Sequence, residues 1–338
     1  MARKLIVLGE DIPLIGSIAF GLIDRGTNLI QVRPSTQCLL SCIFCSTDAG
    51  PNSRWRQVEY LVLPDLLVDA FKQLAIFKGG RKLEAHIDTV GDPLTYPHLV
   101  ELISLLREVP GVEVISMQTH GTLLTEKLVD DLASAGLSRV NLSIDALNPE
   151  LAKKMAGTQH YDVAHACYIA RYIAENTSMD IIITPLWLPK FNDAEIPKLI
   201  EFALGIGAGK QVPALGIQKY EVHKHGRKVR GVKPQTWYQF YQELRLLEKR
   251  FKTKLVLSPS DFGMFKCQPL PKPYRRGEVL SVKVVELGWL RGEVLAVPPR
   301  RDRVFTIVGI DNPELLLGQR IKAVVIGNKD NIYIAKPA

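Results

Sequence analysis

From Asn28 to about Ser258, short apolar runs rich in β-branched residues alternate with longer stretches in which apolar residues return at helical spacing. The runs Leu29–Arg33, Leu83–Asp88, Glu113–Gln118, Arg139–Ile144, Asp180–Thr184, Ala214–Gln218 and Lys254–Ser258 predict strands. Between them Leu63–Phe77, His98–Val109, Thr125–Ala135, Tyr161–Glu175, Asp193–Leu204 and Pro234–Phe251 predict helices, with Thr125 ahead of Glu126 as a start signal and Gly136 as a stop. This rhythm predicts an α/β fold, a complete or partial (βα) barrel of TIM type over residues 29–268, preceded by an N-terminal extension over 1–28. The active site of such a barrel lies at the C-terminal ends of its strands.

The rhythm breaks at Pro269–Pro273, where three of five residues are proline, so residues 269–275 read as a linker. Beyond it, Glu278–Glu286, Trp289–Val297, Val304–Val308, Arg320–Ile326 and Asn331–Ala335 are strand-like runs separated by Gly, Pro, Asn and Asp. No helical stretch fits, and residues 276–338 are expected to form a small all-β barrel of the oligonucleotide-binding (OB) kind.

A chain of 338 residues with 46% hydrophobic content can fill both cores. The most apolar early stretch, Ile12–Ile23, is broken by glycine, follows Glu10 and Asp11, and is shorter than the ~20 residues that cross a bilayer. The expectation is a soluble cytoplasmic protein with no membrane partner. Of five cysteines, three fall between positions 38 and 45, a spacing that suits a metal centre in a reducing compartment better than disulfides. A net charge of +8 favours polyanionic partners.

Cys38-Leu-Leu-Ser-Cys42-Ile-Phe-Cys45 directly follows the first barrel strand, so three thiolates sit in a loop over the barrel mouth. A [4Fe-4S] cubane ligated by three cysteines leaves one iron open. That iron can chelate the amino and carboxylate groups of S-adenosylmethionine and pass an electron to its sulfonium, giving a 5′-deoxyadenosyl radical. Zinc is the alternative, but it wants a fourth Cys or His nearby, and His86 and His98 are too generic to supply one. The loop resembles that of the radical S-adenosylmethionine superfamily, Cys-x3-Cys-x2-Cys with an aromatic residue, here Phe44, before the last cysteine.

That resemblance assigns cofactor roles to later positions. Val90-Gly91-Asp92-Pro93 is similar to the family's Gly-Gly-Glu-Pro turn, which receives the methionine amino group; Val90 and Asp92 depart from it, which favours a backbone role over a carboxylate one. Thr119-His120-Gly121-Thr122-Leu123 is similar to a Thr-Asn-Gly-x-Leu segment, with His120 either a polar neighbour, a general acid or base, or a packed structural residue. Asn141, Ser143 and Asp145 share one strand face, where burial is costly without a polar ligand, and the family binds ribose or methionine carboxylate there. Leu188 falls where the family lines the adenine pocket, Asn192 or Asp193 suits a helix cap, and Gln218 points to the same mouth. The resemblance also implies an external electron donor such as ferredoxin or flavodoxin.

Residues 276–338 resemble the TRAM domain, an RNA-binding barrel of several RNA-modifying enzymes. The resemblance rests on architecture, position and the Gly-Glu-Val starts at Gly277 and Gly292. Arg275, Arg276, Arg291, Arg300, Arg301, Arg303, Arg320 and Lys322, with Trp289, Phe305 and Tyr333, would suit phosphate contacts and base stacking. The run His223–Lys233, free of acids, is either a solvated loop or a polyanion grip. Cys167 reads as a small core residue. Cys267, in a loop expected to reach the barrel mouth, is a methyl acceptor, an auxiliary ligand, a radical quencher or an inert thiol. Radical RNA adenine methyltransferases carry a cysteine seven residues ahead of the loop, and here that position is Gln31. The expected function is radical modification of tRNA or rRNA, first of all methylation of a base carbon. A radical enzyme on a protein, lipid or small molecule with the small barrel as lid, and a non-enzymatic metal-binding nucleic-acid module, are the competing readings.

Overall fold

The computed structural model describes residues 3–338. The described residues divide into one unit of residues 3–37, 53–113 and 266–338 and another of residues 38–52 and 114–265.

In the first unit, β1 (Lys4–Leu8), β2 (Gly21–Asp24), β3 (Leu29–Arg33) and β4 (Val58–Val62) precede α1 (Pro64–Phe77), β5 (Leu83–Ile87) and α2 (Leu99–Arg107). β3 runs parallel to β5 and antiparallel to β2, and β1 pairs in parallel with β4. β3 and β5 are thus the first two parallel strands of the barrel, joined by the crossover through α1. α1 buries Leu67, Val68, Phe71, Leu74 and Ala75, the single stripe that its spacing predicts.

The second unit is built from β6 (Val112–Thr119), α3 (Glu126–Ser134), β7 (Arg139–Leu142), α4 (Pro149–Ala156), α5 (Val163–Asn176), β8 (Asp180–Ile183), β9 (Leu186–Trp187), α6 (Glu195–Gly205), β10 (Gln218–Lys219) and α7 (Trp237–Phe251). β6, β7 and β8 pair in parallel. Thr125 caps α3 by accepting from the Leu128 N–H at 3.2 Å, and Gly136 turns out of it at φ +100°. The alternation of parallel strands and helices is that of a partial TIM-type barrel, α/β overall.

Several elements differ from expectation. Residues 1–28 contain β1 and β2 rather than a plain extension, and α4 was not expected. Lys254–Ser258 is not a strand, because the Leu255 and Val256 N–H groups donate to the Glu248 carboxylate at 2.7 and 2.8 Å rather than to a neighbouring strand. Ala214–Gln218 shrinks to a bridge at Leu215 and the two-residue β10. Neither Asn192 nor Asp193 caps α6, whose N-cap is Ala194; both close the preceding loop instead.

The C-terminal strands return to the first unit. β11 (Val279–Leu287), β12 (Glu293–Val297), β13 (Phe305–Val308), β14 (Arg320–Gly327) and β15 (Ile334–Pro337) form a closed barrel in the order β11-β12-β13-β15-β14, with β13 and β15 parallel. A five-stranded barrel with that Greek-key order has OB topology. Its core holds Val282, Val284, Val294, Phe305, Ile307 and Tyr333, the inward positions of alternating strands. No helix among the described residues is long and apolar enough to cross a membrane.

Candidate functional site

The loop that carries Cys38, Cys42 and Cys45 is held by its backbone. The Ser41 and Ile43 N–H groups donate to the Ala156 and Met155 carbonyls, both at 3.0 Å, tying the loop to the last turn of α4. Gly157 follows at φ +66°, and a Cβ there would stand 2.0 Å from the Ser41 carbonyl oxygen, so only glycine permits this approach. From the far side Arg227 reaches in: its N–H donates to the Cys45 carbonyl at 2.8 Å and its guanidinium to the Cys42 carbonyl at 3.0 Å and to the Ala49 carbonyl. The same guanidinium pairs with the buried Asp48 at 3.0 Å.

With the carbonyls claimed, N–H groups face the sulfurs. Leu40 N–H points at Cys38 Sγ (3.4 Å) and Ala49 N–H at Cys45 Sγ (3.2 Å), with Thr47 Oγ1 3.4 Å from the latter. Such donors favour thiolates and tune iron–sulfur centres. Burial first, then Cys38, Cys45 and Asp145, push the Cys42 thiol well above its usual range, and Arg227 pulls it back. Three mutually repelling thiols suit a group that brings positive charge. Among the described residues no three His, Cys, Asp or Glu side chains converge tightly enough for a single ion. Three cysteines in one loop would hold a cubane by giving each a separate iron, whereas zinc wants a fourth ligand.

The ends of β6 and β7 bring polar groups to this loop. His120 Nε2 lies 3.8 Å from Cys42 Sγ. Asp145 is buried and accepts from the Leu186 N–H at 2.8 Å; burial raises its carboxyl above the usual range, while His120 and that N–H pull it down. Ser143 Oγ accepts from Gln118 Nε2 at 2.7 Å, and the same amide donates to Thr184 Oγ1 at 2.9 Å. Thr119 Oγ1 accepts from the Gly121 N–H and shapes the turn after β6.

In the first unit, the turn Val90–Pro93 packs on the residue that precedes Cys38. The Asp92 N–H donates to the Gln37 carbonyl at 2.8 Å, and a Cβ on Gly91 would stand 1.9 Å from that carbonyl oxygen. Asp92 Oδ1 accepts from the Leu94 N–H at 3.0 Å and so caps its own turn. The Val90 carbonyl accepts from the Arg56 guanidinium.

A sequence profile described as the Radical SAM superfamily matches residues 32–203, the stretch that holds the cysteine loop and these strand ends. The chain belongs to the Radical SAM superfamily. It is a radical SAM enzyme, and the family's cofactors are a [4Fe-4S] cluster and S-adenosylmethionine, which removes the non-enzymatic reading. The chain is 41% identical over 352 residues to the uncharacterized protein MJ0103 of Methanocaldococcus jannaschii, covering 99% of this chain and 81% of that one. It is 27% identical over 179 residues to the GTP 3′,8-cyclase of Chlorobaculum tepidum, which is 52% of this chain and 50% of the cyclase. The chain therefore spans about half the length of that cyclase. Among solved structures, methylornithine synthase superposes with a TM-score of 0.50 at 14% identity, over 65% of this chain and 61% of that one, a likeness of fold.

The remaining expected residues of this radical SAM core are scattered. Phe44 is half-buried in the cluster loop, and Leu188 is fully buried, its N–H held by Asn192 Oδ1 at 2.8 Å. Asn141 accepts from its neighbour Arg139 at 3.1 Å rather than joining Ser143. Gln218 is exposed, with its N–H on the Pro185 carbonyl. The Cys267 N–H donates to the Gly26 carbonyl at 2.9 Å, just ahead of β3. The stacking role expected of Trp289, Phe305 and Tyr333 is a correction, because all three are buried; Phe305 and Tyr333 pack on each other and on Tyr274 inside the small barrel.

Sequence reasoning missed Arg227 and Arg56. Arg227 belongs to the basic run read as solvated or polyanion-binding, and its one signal was the lone Asp48 in the cluster loop. Arg56 gave no signal beyond its place between two strands.

Proposed function

We propose that this radical SAM enzyme modifies RNA, held through the outer face of the small barrel. The observation that carries this reading is a cationic sheet face. The outward positions Val279, Ser281 and Lys283 of β11, Arg320, Lys322 and Ile326 of β14, and Ile334 and Lys336 of β15 include four cations and no acid. Lys283 lies directly opposite Arg320, and Ser281 opposite Lys322. Like charges opposed across a strand pair are destabilising, and a polyphosphate backbone relieves that cost. This face takes the phosphate role foreseen for Arg320 and Lys322; Arg301 is instead paired with Asp11 and Arg303 bonded to Asn331.

When bound on Cys38, Cys42 and Cys45, the cluster supplies the electron for reductive cleavage of S-adenosylmethionine. The chain's residues do the rest: Arg227 holds the loop, and Gly91 lets the Val90–Pro93 turn close on Gln37. Methylation of a base carbon is the reaction we put first. The half-buried Cys167 thiol on α5 is pushed up to about 11 by burial, which does not suit a methyl carrier.

Total tRNA titrated with the reconstituted protein tests the reading. Each cation engaged adds about 0.9 to the slope of log affinity against log salt, so R320E/K322E should flatten it by about two. Absence of binding at low salt, or an unchanged slope in the variant, would sink the RNA substrate. Nucleoside mass spectrometry of cells with and without the gene then identifies the modified base. Burial of Trp289, Phe305 and Tyr333 favours a second reading, in which the barrel is a fixed prop and the substrate is a protein, lipid or small molecule.

A further inference from the structure

Arg56 is among the largest fully buried side chains of the protein, an unusual place for a guanidinium. Its Nη1 donates to the Thr36 carbonyl at 2.5 Å and pairs with Glu59 at 3.1 Å, and its Nη2 donates to the Val90 carbonyl. Glu59 is fixed in turn by Thr36 Oγ1 at 2.5 Å and by Arg3 at 2.8 Å. One side chain therefore clamps the two segments that meet at Gln37, the strand exit just before Cys38 and the turn at Gly91.

The outer side of the guanidinium is closed by the small barrel. The Trp289 ring, in the β11–β12 connection, lies 4.7 Å from it. The backbone on either side is stitched to the same connection: Gln57 N–H donates to the Trp289 carbonyl (3.1 Å), Arg291 N–H to the Trp55 carbonyl (2.8 Å), and Tyr60 Oη to the Leu287 carbonyl (2.6 Å). In an OB barrel this first connection is among those that usually grip ligand. Here it is spent on Arg56.

We infer that Arg56 is a positioning residue for the S-adenosylmethionine site, and that the small barrel completes that site by packing Trp289 over it. The barrel is then a working part of the cofactor site, whatever substrate it also holds. The inference rests on family membership and not on the RNA reading, so loss of RNA binding leaves it standing.

The test uses full-length protein, reconstituted with iron and sulfide under anaerobic conditions. R56K keeps a charge but not the two-carbonyl clamp, and W289L removes the ring while keeping an apolar cover. Expected are a 10- to 100-fold rise in KM for S-adenosylmethionine in R56K and a 3- to 10-fold rise in W289L, read as 5′-deoxyadenosine formed with a chemical reductant. Iron content and saturated kcat should stay within about threefold. The electron paramagnetic resonance spectrum of the reduced cluster should also change its response to added S-adenosylmethionine, and the exposed control L315S should match the wild type. An unchanged KM and spectrum in both variants would overturn the inference. So would a parallel fall of iron content, kcat and melting temperature, which marks a purely structural role. If R56K fails to fold, W289L alone decides by the same readings.

Discussion

Replacing Arg227 by Met should loosen the cluster loop before any iron is added. The substitution removes two hydrogen bonds to loop carbonyls and leaves Asp48, whose side chain is 2% exposed, without its cation. Breaking a buried ion pair from one side costs about 3–5 kcal/mol. The Arg227 side chain keeps 15% of its surface in water, so the lower end, about 3 kcal/mol, is the better figure. That is roughly a hundredfold shift toward the open loop. Amide hydrogen exchange of the iron-free protein should show it as faster exchange over Ser41–Ala49, with the barrel strands unchanged. Because Arg227 also draws the Cys42 thiol down, the variant should need a higher pH to take up iron. D48N/R227M should recover part of the loss, since the stranded carboxylate is gone. Wild-type exchange in R227M, or a double variant that is simply additive, would refute the account.

Two further predictions concern the first unit. Gly91→Ala places a Cβ 1.9 Å from one backbone oxygen and 2.5 Å from another, neither able to rotate away, so the turn must shift. S-adenosylmethionine binding should weaken by about 10- to 100-fold at unchanged iron content, in line with an overpacking cost of about 1–3 kcal/mol. Glu293, at the base of the β11–β12 connection, is pushed up to about 7 by burial against an ordinary value of 4.5. The unfolded chain gives up this proton first, so stability should fall as pH rises from about 4.5 to 7, by about 3 kcal/mol, and level off above. Chemical denaturation across that range checks it, and Glu293→Gln should remove the slope.

The architecture was legible because it repeats one signal. Apolar spacing over Leu63–Phe77 and the alternation in Phe305–Val308 each mark a face that must be buried, and neighbouring residues suffice to show it. The thiolate triad was legible for the same reason, three ligands within one loop. What escaped depends on distant partners. Arg227 and Arg56 look like any surface arginine until Asp48, Glu59 and four carbonyls are placed around them. Lys254–Ser258 has strand composition, but Glu248 takes its N–H groups first. Trp289 and Tyr333 carry the composition of a nucleic-acid platform, yet burial decides whether a ring can stack, and burial is a tertiary property.

The unit that holds the Val90 turn is assembled from three stretches of chain, the last of them residues 266–338. During synthesis the first hundred or so residues therefore emerge without the partner that covers Arg56 and must wait for residues 266–338 to be made. Burial of Arg56 is tied in this way to a stretch of chain made some two hundred residues later. Truncating the small barrel is then a poor way to isolate a catalytic core, because it strips the cover from a buried cation, and point changes on the barrel's outer face separate binding from folding far more cleanly.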